Sequence, residues 1–257
     1  MILKCAKLTK IQKAQIVEKL FHESTLDYDF LLMLILSSII VALGLLSNNL
    51  AVVIGGMLVA PILSPILSFS MGIVVGDHKL MKRAGVVIIQ SILMIAFVSF
   101  IVSLLTLGRS MNTEILSRGY PSLIYFLIAV FSGAAVAYAL VRPCVSEVLP
   151  GVAISVSLIP PLAVLGIGIS FLEWNIVIGA LGLFLLNLMG IIFAALIVFA
   201  IFRFYEVKDA IEKKIKAEEK MLKEEKKEKD KEHIEEIAKT VKEATEILKE
   251  KKGVIKK

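Results

Sequence analysis

GGMLVAPILSPIL, residues Gly55–Leu67, carries no charge and one hydroxyl, Ser64, yet Pro61 and Pro65 interrupt it four residues apart. In a water-soluble core helix each proline would delete a backbone donor and clash with the preceding turn. The reading of this stretch therefore depends on the solvent around it, and the rest of the chain supplies that solvent.

Of 257 residues, 57% are hydrophobic, and the mean hydropathy is +0.84. Charge is segregated. No Asp, Glu, Lys or Arg occurs in Phe30–Val75, Ala84–Leu107, Pro121–Val141, Val148–Leu172 or Asn175–Phe202. Crossing about 30 Å of hydrocarbon takes about 20 apolar residues in a helix. The chain reads as an all-α polytopic membrane helix bundle of six spans, near 30–46, 50–75, 84–107, 121–141, 150–172 and 176–202. The lipid bilayer is its first partner. The net charge of +6 comes from lysines outside these runs, so nucleic acid is not expected. Cys5 and Cys144 fall in segments assigned to the cytoplasm, which argues against a disulfide. His22, His78 and His233 stand far apart, and no Cys/His spacing suggests a metal or another cofactor. No cleavable leader is expected, because the first apolar run starts only near Phe30, behind Asp27 and Asp29.

Lysine and arginine in short loops set orientation. Lys4, Lys7, Lys10, Lys13 and Lys19 precede the first span, Lys79, Lys82 and Arg83 follow the second, and Arg142 follows the fourth. Arg109 and Arg118 lie on the other side. Both termini are thus expected in the cytoplasm of a cell-membrane protein. Residues 50–75 would measure about 39 Å as one helix, so a broken spanning helix competes with a re-entrant hairpin. The charge count favours full crossing.

The ends differ from the middle. In residues 9–21, Ile11, Ala14, Val17, Leu20 and Phe21 share one face, and Thr9 with Gln12 forms a capping-box pattern. Residues 1–29 are read as a segment with a basic amphipathic helix, either on the cytoplasmic membrane surface or as a simple lead-in. Residues 203–257 hold 18 Lys+Arg against 15 Asp+Glu with no proline, so they read as a solvated helical cytoplasmic tail. Ile234, Ile237, Val241, Ala244 and Leu248 give it a two-heptad coiled-coil rhythm, and a second copy of the chain is the expected protein partner.

An internal repeat organises the spans. AVVIGGMLVAPIL (51–63) matches GVAISVSLIPPLA (151–163), with Pro61 opposite Pro161. Gly72 pairs with Gly166, and spans three and six each carry a lone amide, Gln90 and Asn187. The chain thus divides into a first three-span repeat (30–107), an outer loop (108–120) and a second, inverted repeat (121–202). Inverted repeats with discontinuous helices in corresponding positions point to a transporter-type site. Helix breaks are expected at Pro61 and Pro65 in the second span and at Pro160 and Pro161 in the fifth. Ser64-Pro65 has the form of an N-cap followed by proline at the first helical position. A half-helix starting there would present its positive end to an anion or polar neutral solute. Candidate binding residues are Ser64, Pro65, Gln90, Ser157, Pro160, Pro161 and Asn187. Gln90 and Asn187 also fit a second role as hydrogen-bonding glue between helices, and the prolines fit as simple kinks.

NNLAVVIGGMLVAPILSPI followed by Gly76-Asp77 resembles the first signature of domain-of-unknown-function family 389, the uncharacterised hydrophobic domain. RPCVSEVLPGVAISVSLIPPLAVLGIGI followed by Leu185–Leu188 is similar to its second. The resemblance covers about Ser38 to Ala200. It implies a multi-pass prokaryotic membrane protein without agreed binding or catalytic residues. Many members carry a soluble domain before the spans, and here that domain is expected to be absent. Two functions follow. One is a transporter or channel-like protein for a small solute, with a midplane site at the two proline-broken helices. The other is a membrane scaffold or signalling subunit acting through the tail. No Ser/His/Asp set or paired carboxylate points to an enzyme.

Overall fold

The computed structural model describes residues 8–106, 110–142 and 148–207, with the backbone course alone for 148–157. The tail from Lys208 with its heptad residues, Cys5, Cys144, Arg109 and Glu147 lie outside the described residues. Those described hold helices and turns and no strand.

Helix α1 (Lys10–Glu23) starts as its sequence dictates. The Gln12 N–H donates to Thr9 Oγ1 at 3.2 Å and the Thr9 N–H to Gln12 Oε1 at 3.0 Å. Its apolar face, Ala14, Val17, Leu20 and Phe21, is buried. That face is covered by protein, not by lipid headgroups, because Ser68 donates to the Leu20 carbonyl at 2.7 Å and Arg83 stacks 4.4 Å over the Phe21 ring. A helix on the membrane surface would leave this face to lipid, and only Ile11, 73% exposed, is left so.

Helices α2 (Tyr28–Leu46), α5 (His78–Leu105), α7 (Leu123–Val141) and α9 (Trp174–Ile201) are long and apolar enough to cross a membrane. Helices α3 (Leu50–Val59) and α4 (Leu63–Val75) pass the same test as a pair bent by 54°. A short helix, α6 (Thr113–Ser117), sits in the loop before α7. Helix α8 (Val148–Phe171) follows α7, and a 3₁₀ turn, Phe204–Val207, follows α9. The protein is membrane-embedded and helical, with four to five apolar helices able to span among the described residues.

The bend between α3 and α4 lies where the sequence places it. Proline at 61 disfavours the helical conformation of the residue before it, and Ala60 is extended, with φ −77° and ψ 128°. The expected details differ. Residue Ile62, not Ser64, caps α4, and Pro65 sits at its third position. It is harmless there, because first-turn N–H groups have no intrahelical partner. The fifth segment departs further. Pro160 and Pro161 are buried inside one continuous helix, α8. Their missing N–H groups cost the Val156 and Ser157 carbonyls their helical donors, and surrounding helices hold the segment in line. Helix α8 packs on α2, α3, α5, α7 and α9. The break expected there is absent.

Three helical hairpins are closed by one turn. After Gly72, Gly76 takes the left-handed conformation (φ 74°), the Asp77 N–H donates to the Gly72 carbonyl (2.9 Å), and the Gly76 N–H to that of Ile73 (3.2 Å). Asn48 (φ 55°) and Asn49 repeat this pattern over Gly44 and Leu45, and Leu172 (φ 60°) and Glu173 over Gly168 and Ile169. This is the Schellman motif. In each case the glycine opens the motif and admits the backbone of the residue nine positions on. A Cβ on Gly44 would fall 2.8 Å from the Val53 nitrogen, and one on Gly72 3.0 Å from that of Met81. On Gly168 the distance to the Val177 nitrogen would be 3.5 Å. The turns therefore place Gly72 opposite Gly168, not Gly166. Pro65 falls opposite Pro161 in the same register.

Packing is parallel between the halves. Helix α2 lies on α5 as α7 lies on α9, and α4 lies on α5 as α8 lies on α9. Helix α4 crosses onto α9 as α8 crosses onto α5. Glycines carry the tightest crossings: Gly133 lets α7 meet the Ile191 backbone, and Gly166 brings α8 against Ala96 of α5.

Candidate functional site

The first turn of α4 gathers the polar groups of the broken helix. Ser64 Oγ donates to Glu23 Oε2 at 2.9 Å. Glu23 closes α1 and also pairs with Lys19 at 3.8 Å. With Leu20, Leu63, Leu67, Val136, Ala139 and Leu140 these two residues line a cavity of about 100 Å³. A carboxylate beside the start of a helix complements its positive end. The anion position expected at Ser64 is therefore met by the chain's own Glu23. That residue lies 41 positions away in sequence and outside the apolar runs, so span-based reading passed over it. The one available signal was its place at the end of an amphipathic helix.

Below that turn the hydroxyls tie α1 to α4. Ser68 and Ser24 meet through their Oγ atoms, and Ser24 also reaches the Leu20 carbonyl. The break lies nearer the α1 end of the bundle than its middle. Ser37 on α2 donates to Gly56 at 2.7 Å, so Pro61 is level with the early turns of α2.

The other sequence-derived candidates separate. Asn187 is buried, 1% exposed, at the centre of α9 among Leu183, Phe184, Gly190 and Ile191. Pro65, Pro160 and Pro161 are buried in the bundle. None of these four lines the cavity at Ser64. Gln90 is exposed, and its neighbours on the outer face of α5 are Val86, Ile89, Leu93 and Phe97. It shares no interior site with Asn187. A mid-span position does not reveal helical phase, and the buried positions Val87, Ile88, Ser91 and Ile95 fix that phase away from Gln90. The side chain of Ser157 lies outside the described residues. Further interior hydroxyls join α5 to α8, where the Ser103 and Ser170 Oγ atoms stand 2.6 Å apart. Among the described residues no group of three His, Cys, Asp or Glu is placed to hold a metal.

A second polar site lies where the ends of α7 and α9 meet α1. Lys13, 7% exposed, donates to the Arg203 carbonyl at 3.1 Å and stands 3.9 Å from Glu206. Arg142, Arg203 and Glu206 join it around a cavity of about 410 Å³.

The family model described as a domain of unknown function, DUF389, matches residues 57–193, just over half of the chain. An uncharacterised protein of Methanocaldococcus jannaschii is 32% identical over 179 residues, 69% of this chain. The chain spans about half, 55%, of that relative's length. No solved structure matches.

Proposed function

The chain belongs to the domain-of-unknown-function family DUF389, and from that premise we propose that it is a six-span transporter or channel-like protein of the cell membrane, moving a small anion or polar neutral solute. One observation supports the reading: an apolar helix pair, α3 and α4, bent by 54° at Pro61, with a hydroxyl and a carboxylate at the restart. Irregular backbone at membrane depth is tolerated where it is buried in protein or lines a water-filled cavity. The parallel packing of the two halves supports an inverted repeat, with the difference that only the first repeat breaks its second helix. Buried Asn187 is the interior polar group on the helix that α4 crosses. Glu23 acts as a tethered anion at the α4 start, so an anionic solute binds there by displacing it. The loop charges support a cytoplasmic position for both termini.

Thermal unfolding of the detergent-purified protein against inorganic anions and neutral amino acids tests this, since a ligand of the folded state raises the melting temperature. One solute class should stabilise, Ser64→Ala should weaken that response, and Glu23→Gln should strengthen it if the solute is an anion. No stabilising class, or a full response kept in Ser64→Ala, overturns the reading.

The exposed amide of Gln90 supports self-association. An amide facing hydrocarbon finds a partner most directly in the same residue of a second copy packed along Ile89, Leu93 and Phe97.

A further inference from the structure

The cavity at the ends of α7 and α9 has the composition of a ligand site. Lys13 on α1, Arg142 after α7 and Arg203 after α9 contribute three cations from three elements, and Glu206 is the one carboxylate among its described lining residues. Glu206 lies 3.9 Å from Lys13 and 3.6 Å from Arg203, and among the described lining residues three cations stand against this carboxylate. The cations are held in place. Lys13 is fixed by the Arg203 carbonyl and stands 5.8 Å from the Phe204 ring centre, and the Arg142 guanidinium lies 5.2 Å from that of Phe202. The volume, about 410 Å³, falls in the about 300–1,000 Å³ range of small-molecule sites.

The remaining wall is apolar and faces outward. Ile201 lines the cavity and is 70% exposed, and Ile197, one turn earlier on α9, is also exposed. A free inorganic ion has no use for such a wall, whereas a molecule with a charged head and a hydrocarbon chain uses both. We infer that this cavity binds the phosphate headgroup of an anionic phospholipid, with an acyl chain along Ile201 and Ile197. Basic pockets between helices at the membrane surface take such headgroups. The inference rests on the membrane setting and not on transport, so failure of the solute assay leaves it standing.

The test uses the full chain in detergent, with dioleoylphosphatidylglycerol, dioleoylphosphatidylcholine or sodium phosphate added. Unfolding is followed by Trp174 fluorescence and bound lipid by native mass spectrometry. Phosphatidylglycerol should raise the melting temperature more than phosphatidylcholine and remain bound. Removing a cation should weaken that binding about five-fold. The Arg203 side chain is 69% exposed, so Arg203→Gln reports this without loss of fold. Arg142→Gln with Arg203→Gln should compound it, and Lys82→Gln, exposed and outside the cavity, should keep the full response. Equal stabilisation by phosphatidylcholine overturns the inference, as does a full phosphatidylglycerol response in Arg203→Gln. A shift reproduced by sodium phosphate alone overturns the lipid assignment in favour of a free anion.

Discussion

Adding one methyl group to Gly166 should separate α5 from α8. A Cβ there would stand 2.1 Å from the Ala96 carbonyl oxygen and 2.9 Å from the Phe100 nitrogen. A carbon ordinarily meets a carbonyl oxygen no closer than about 3.3 Å, so the contact is short by about 1.2 Å. Both near atoms are backbone, so no side chain can turn aside. The helices must part, and the hydrogen bond between Ser103 and Ser170, 2.6 Å long on the same interface, stretches out of range. Overpacking costs about 1–3 kcal/mol and the lost hydrogen bond about 1 kcal/mol. Gly166→Ala should therefore destabilise by about 2–4 kcal/mol, lowering the melting temperature by about 5–15 °C for a chain of this size. Gly55→Ala is the matched control. It lies on α3, and nothing stands within 4 Å of its added Cβ, so the gain in helix propensity should leave it unchanged or slightly more stable. Unfolding in detergent followed by Trp174 fluorescence reads both. A Gly166→Ala protein melting within about 2 °C of the parent would refute the close α5–α8 crossing.

Leu172 holds a left-handed conformation that costs a non-glycine residue about 1–2 kcal/mol, and it is 74% exposed. Leu172→Gly should thus raise the melting temperature by a few degrees, while Gly76→Ala, in the equivalent turn, should lower it. Ser103→Ala, which removes the same hydrogen bond, should cost about 1 kcal/mol, read as a small shift in the same melt. Gln90→Leu should leave that melt unchanged but shift the protein toward monomer in cross-linking and size-exclusion with light scattering, and an unaltered oligomer distribution would remove Gln90 from the interface.

Elements whose cause is local were legible in the sequence. The apolar runs located the helices, Thr9 and Gln12 the start of α1, and Pro61 the break, because a proline constrains its own neighbour wherever it sits. Elements whose cause is distant were not. Pro160-Pro161 has the same local chemistry as Pro61, yet α8 continues through it, since the helices packed around it decide whether a segment short of two donors bends. Ser64 has the form of a cap, but its hydroxyl goes to Glu23, a partner that only the folding of α1 onto α4 supplies. Gln90 and Asn187 are both lone mid-span amides, and packing buries one and leaves the other facing out. The basic cavity was illegible for the same reason: Lys13, Arg142 and Arg203 meet only when three chain segments converge.

The three glycine turns constrain how this protein can change shape. Each holds two helices through paired backbone hydrogen bonds and a side-chain-free contact, so α2–α3, α4–α5 and α8–α9 are stiff hairpins that travel as units. In the first half the compliant point left between two such units is the three-residue stretch Ala60–Ile62, where Ala60 N reaches Met57 O at 3.4 Å. Rotation there swings α4 with α5 against α2 with α3. Because Ser64 and Ser68 are fastened to α1, the same swing carries the N-terminal helix with it. Any bending at Pro61 is therefore felt by α1.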